Sequence, residues 1–193
     1  MVRVIIGAIP AAIAMFLLGF VFYASGLQRM VTGGVEDVPA AAIQQTLARN
    51  LPATGTYVVP EPAEGAAQAV MYGTGPIATI HYNTRGYGAT DTGSLITGLL
   101  LDFVVALLIG AALIGIDRRV PDFASRGRLV VFIAVACAAY INLLGPIFYH
   151  HGWAHFIYRF FADAVTLSVG GLIIARWFLS SPRAAPRDAP AEV

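Results

Sequence analysis

Lysine is absent from this chain of 193 residues, cysteine occurs once, and charged residues make up only 12%. The lone Cys137 excludes an internal disulfide framework and any CxxC redox or zinc motif. Ordinary soluble domains carry about 25% charge and about 45–50% apolar residues with glycine counted. Here 58% of the side chains are hydrophobic before glycine is added, and the mean hydropathy is +0.72. That balance argues against a soluble enzyme. All 12 basic residues are arginine and face 11 acids, for a net charge of +1, so no overall field draws the molecule to nucleic acid. Nucleophile elbows and glycine-rich phosphate loops are also missing. The pairs Gly73-Thr-Gly75 and Gly86-Tyr-Gly88 lack the third glycine and the strand-to-helix setting of a nucleotide loop, so they read as turns.

What is present is four apolar stretches, Val4 to Phe22, Leu95 to Ile116, Leu129 to Phe148 and Phe160 to Leu179. At 1.5 Å per residue each has the roughly 20 residues that span a hydrocarbon layer of about 30 Å. The expected fold is an all-α membrane protein, a four-helix transmembrane bundle. Residues 1–26 hold the first helix and residues 95–179 hold helices 2 to 4. The first stretch is longer than a signal-peptide core of about 7–15 residues, which favours an anchor over cleavage near Ala24-Ser25-Gly26.

Arginine positions orient the bundle. The segment 117–128 holds four arginines, and Arg3, Arg176, Arg183 and Arg187 fall on its side. The positive-inside bias therefore makes this loop and both termini cytoplasmic. Tyr23, Tyr149 and Trp153 then mark the outer boundary and Trp177 the inner one. Arginine in place of lysine and abundant alanine suggest a bacterial inner membrane. The tail 180–193, built of proline, alanine and arginine, is expected to be disordered.

Residues 27–94 form an extracytoplasmic insertion too long for a turn and are expected to be a small α+β module. Asp37 and Pro39 suggest a helix start running into Ala40 to Asn50, and Ile43, Leu47 and Leu51 recur at helical spacing. Thr54 to Pro60 and Pro76 to Tyr82 read as short strands, and Ala63 to Tyr72 as a weakly patterned helix. So small a core predicts that the module rests on the helices, the bilayer surface or a partner.

One span, an insertion with Gly55-Thr-Tyr57, Pro60 and Gly75-Pro76-Ile-Ala-Thr-Ile-His-Tyr82, then three further spans, is an order that resembles a group of small four-span bacterial inner-membrane proteins. The resemblance covers about the first 180 residues. It implies the fold and brings neither an activity nor catalytic residues.

The informative residues are those that should not face lipid. Asp102, Asn142, Arg159 and Asp163 lie inside the spans, where an Asp or Arg at mid-helix costs about 2.5–3.5 kcal/mol on the insertion scale. Measured from Asp117, Arg128 and Arg176, three of them lie about 22, 21 and 20 Å along their helices, which predicts one buried polar layer. Arg159, one turn from Asp163, is the expected counter-charge for Asp163, Asp102 or both. Such a layer can simply fix helix packing. It can also line a path for protons or a cation.

A second cluster, Tyr149 to Arg159, brings His150, His151 and His155 to the outer mouth, and His81 of the insertion could add a nitrogen for a divalent metal at the outer face. No Glu or Cys completes that ligand set. An intramembrane bis-histidine haem is disfavoured because every histidine lies at or outside the boundary. His155, Asp163 and Ser168 have no hydrolase spacing. Gly7, Ala11, Gly19, Gly93, Thr97, Gly98, Gly110, Gly170 and Gly171 would let helices approach closely, and Cys137 reads as a small core residue. The expected role is non-enzymatic: an accessory or assembly component whose partners are the lipid bilayer and another membrane or periplasmic protein or a second copy, with no cofactor. The alternatives are a small proton or cation translocator and an outer-face metal-binding protein.

Overall fold

A computed structural model describes residues 2–88 and 90–178. The expected disorder of 180–193 lies outside the described residues. The chain is mostly helical, in the order α1 (Val2–Tyr23), α2 (Asp37–Asn50), β1 (Gly55–Val59), α3 (Ala66–Thr74), β2 (Ala78–Tyr82), α4 (Thr92–Ile116), α5 (Phe123–Phe148) and α6 (Trp153–Trp177). It divides into two units, one of Met1–Gly33 with Thr92–Val193, the other Gly34–Asp91. Residues 27–33 of the expected insertion thus belong with the helices.

In the first unit α1, α4, α5 and α6 are each long and apolar enough to cross a membrane. Helix α6 is the hub, packed along α5 and α1 and, over a shorter stretch, α4; α1 also packs on α4. The core is built largely from small side chains, Ala8 and Ala11 of α1, Ala106 of α4 and Ala175 of α6, around Met15, Leu113, Val130 and Ile174. Small side chains and glycines let the helix backbones approach closely, which favours dispersion contacts between them. Gly7 lies under Phe178, Gly110 under Val4, Gly170 under Met15 and Gly171 under Val130. Gly19, expected in the same role, has no atom near its missing Cβ.

Helices α4 and α5 leave between them an apolar cleft of about 310 Å³ lined by Ile109, Ile116, Ile133, Cys137 and Leu167 among others. Cys137 is exposed rather than a core residue. The packed stripe of α5 runs through Val130, Ala134, Ala138, Asn142 and Pro146 at intervals of four, and Cys137 lies one residue off it.

The expected loop 117–128 is half helix. Asp122 caps α5 by accepting the Ser125 backbone N–H at 2.8 Å, so the helix starts at Phe123. Arg126 then turns inward, 2% exposed, donating Nε–H to the Val120 carbonyl at 2.7 Å and Nη2 to the Asp117 carboxylate. One of the four arginines counted towards orientation is therefore a buried staple of the turn. The hydrogen bond from Ser125 holds the Asp122 carboxyl below its ordinary range. A depressed carboxyl contributes its stability above the unfolded value of about 3.9, and that contribution is lost as pH falls through the folded value. The Ser125 amide chemical shift is expected to titrate with Asp122 below about pH 4, and Asp122→Ala is expected to remove that transition in an NMR titration.

The second unit holds an antiparallel pair, β1 on β2, in register from Gly55 opposite Tyr82 to Val59 opposite Ala78. Gly75, at φ 68°, ends α3 in a conformation that favours glycine. Helix α2 begins at Asp37 with Glu36 at the cap position and no side-chain cap bond; Asp37 instead lies in the first turn, where its charge complements the helix dipole. No described residue between Gly34 and Asp91 is buried. Val38 is 81% exposed, Val70 69% and Ile43 50%. The apolar side chains described in this unit, Tyr57, Val58, Tyr72 and Ile80 among them, are at most half-buried.

Candidate functional site

The four polar residues within the long apolar helices do not form one uniform layer. Asn142, 2% exposed on the packed face of α5, donates its side-chain amide to the Asp163 carboxylate at 2.8 Å and to the Ala138 carbonyl at 3.0 Å. The other Asp163 oxygen accepts the Tyr23 hydroxyl at 2.8 Å. Three helices, α1, α5 and α6, are thereby joined through one carboxylate. Both oxygens of the one carboxylate act as acceptors. Nearby, Tyr158 donates its hydroxyl to the Phe22 carbonyl at 2.6 Å, satisfying one of the carbonyls left open at the end of α1.

Arg159 lies beside the network, and among the described residues no direct ion pair joins it to Asp163 or to Asp102, the carboxylates that spacing made its expected partners. It acts electrostatically on the Tyr23 hydroxyl and on His155, one turn away on α6. Helical spacing of four puts Arg159 and Asp163 on one face, but Asp163 bends its carboxylate towards the neighbouring helices. Tyr23 is the member of the network that sequence reasoning missed. Its place at the boundary of the first span made it look like an interfacial aromatic, and only the packing of α1 on α6 brings its hydroxyl to Asp163.

Asp102 stands apart. It borders a hollow of about 260 Å³ between α1 and α4, lined also by Phe16, Gly19, Phe20, Tyr23, Ala24 and Leu95. Among the described residues its carboxylate has no hydrogen-bond or ion-pair partner. Tyr23 borders this hollow and also bonds Asp163.

The histidines divide between the units. His81 is on β2 and shares a hydrogen bond with the Thr56 hydroxyl at 3.0 Å. His150 follows α5 with φ 54° and is exposed. His151 stacks on Tyr149 at 5.7 Å and on Phe156 at 5.4 Å, and His155 meets the edge of Phe156 at 5.2 Å. Nδ1 of His151 and of His155 is buried without a hydrogen-bond partner. An open hollow of about 470 Å³ lies beside His155, between residues 31–33 and 152–156. Among the described residues no group of three or more His, Cys, Asp or Glu is placed to hold a metal ion.

Chemically, the bundle offers a closed Tyr23–Asp163–Asn142 network, a basic stripe from His155 to Arg159, and one open carboxylate at Asp102. No family model, curated protein or solved structure matches this chain.

Proposed function

We propose that this chain is a non-enzymatic, multi-pass protein of a bacterial inner membrane that serves as an accessory or assembly component of a membrane complex. In this reading the 117–122 turn faces the cytoplasm and the Gly34–Asp91 unit projects on the other side, where it docks on another membrane or periplasmic protein. The supporting observation is that this unit has ordered helices and strands while no described residue in it is buried. A domain of about 60 residues normally buries about 60% of the surface its unfolded chain exposes. A unit without a buried residue needs a surface to complete it, and α2 presents Val38 and Ile43 for that purpose. The two acceptor bonds at Asp163 fit the same reading, because a carboxylate held by two neighbouring helices fixes packing.

A photo-crosslinker at Ile43 or Val70, in cells and after extraction in mild detergent, is expected to give one discrete adduct with a membrane or periplasmic protein or with a second copy. Recovery of the monomer alone, without an adduct at either position, would overturn the proposal.

The second reading, a small proton or cation translocator, draws on the open carboxylate of Asp102. It requires that Asp102→Asn and Asp163→Asn each abolish flux in proteoliposomes. Unchanged flux in both variants removes it.

A further inference from the structure

We propose that the hollow between α1 and α4 is a binding site for a small lipophilic amine, with Asp102 as the anionic partner of its ammonium group. Among the described residues Asp102 is a half-buried carboxylate without a partner, flanked on α4 by the exposed apolar side chains of Leu101 and Val104. An anion so placed is costly until a cation or donor meets it. The opposite wall supplies the second half of the recognition. Phe16, Phe20 and Tyr23 recur at spacings of four and three, so they share one face of α1 and line the same hollow. Aromatic rings attract organic cations through their faces. Gly19, between Phe16 and Phe20, has nothing within reach of its missing Cβ, and this keeps the space open.

The chemistry selects among cations. Calcium takes six to eight oxygen ligands, and magnesium demands a near-octahedral set. The hollow offers one carboxylate and a phenol already committed to Asp163. A monovalent ammonium on an apolar body needs only one anion and apolar or aromatic walls, which is what is present. About 260 Å³ is slightly below the usual range of roughly 300–1,000 Å³ for drug-sized ligands, which points to an amine with a short chain or a single ring. Leu95 lies two turns nearer the start of α4 than Asp102, so the hollow runs along the helices with the charge at its deeper end. This inference is independent of the docking role of the Gly34–Asp91 unit.

The test is equilibrium binding of radiolabelled n-octylammonium to the full chain in phosphatidylcholine nanodiscs, with empty nanodiscs subtracted. Saturable binding at one site per chain is expected, displaced by unlabelled n-octylammonium and not by n-octanol. Asp102→Asn is expected to weaken binding at least tenfold while leaving the helical circular dichroism unchanged, since the carboxylate has no partner to lose. Leu95→Trp, which fills the hollow without touching the charge, is expected to block it equally. Binding that is unsaturable, or equal in wild type and both variants, overturns the proposal. So does loss of binding when the discs contain phosphatidylethanolamine, which would assign the hollow to a lipid headgroup.

Discussion

Gly171→Ala is expected to destabilise the bundle by about 2 kcal/mol, read as a lowered midpoint of unfolding in mixed micelles of increasing SDS content. A Cβ at this position would run into Cγ1 of Val130 on α5 and lie close to Ile109 on α4. Val130 is β-branched and its χ1 is stiff, so the clash is relieved only by moving a helix. Gly110→Ala meets Val4 in the same way and is expected to behave alike. Gly170→Ala is the control for side-chain flexibility, because its Cβ would meet the end of Met15, which can turn away. It should cost clearly less. Gly19→Ala is expected to be neutral or to stabilise by up to about 1 kcal/mol, since nothing lies near the new Cβ and alanine is the better helix former. Equal effects at all four glycines would refute this account of the packing.

The second large effect is expected at Asn142. Asn142→Leu keeps the volume on the α5 face and removes the donor to Asp163, at an expected cost of about 1–3 kcal/mol, the range for leaving a buried acceptor unsatisfied. Tyr23→Phe removes the other donor and is expected to cost less, because Tyr23 is 38% exposed whereas Asn142 is buried. The two bonds end on different oxygens of one carboxylate, so the double variant should depart from additivity by about 0.5 kcal/mol or more. Strict additivity would mean that Asp163 does not couple the two helices.

Much of the bundle was legible before any coordinates. Spans of about 20 apolar residues announce themselves through composition, and the observed helices contain nearly all of each predicted stretch. The boundaries moved where local polar chemistry acted against hydropathy. Asp122 starts α5 at Phe123, inside what reads as an arginine-rich loop. Trp153 starts α6 seven residues before the apolar run, across His155 and Arg159. Both strands of the insertion appeared within two residues of their predicted limits, because proline and glycine punctuate them.

The candidate site was legible as a set of residues and not as a set of bonds. Polar residues in an apolar helix stand out one by one, so Asp102, Asn142, Arg159 and Asp163 were found by composition. Their partners depend on helix rotation, which is set by packing against neighbours at positions such as Gly170 and Gly171. A rotation of one residue turns a side chain by about 100°. That step decides whether Asp163 faces Tyr23 and Asn142 on two other helices.

The sequence by itself therefore determined the number of helices long and apolar enough to cross a membrane, the scarcity of charge and the identity of the polar residues held within them, since each follows from the cost of placing polar groups among apolar ones. Only the tertiary structure decided that Asp163 is satisfied by Tyr23 and Asn142, that Arg126 is a buried staple, and that Asp102 faces an open hollow. Those outcomes turn on distances of about 3 Å between residues far apart in the chain, and such distances are set by side-chain packing and not by hydropathy.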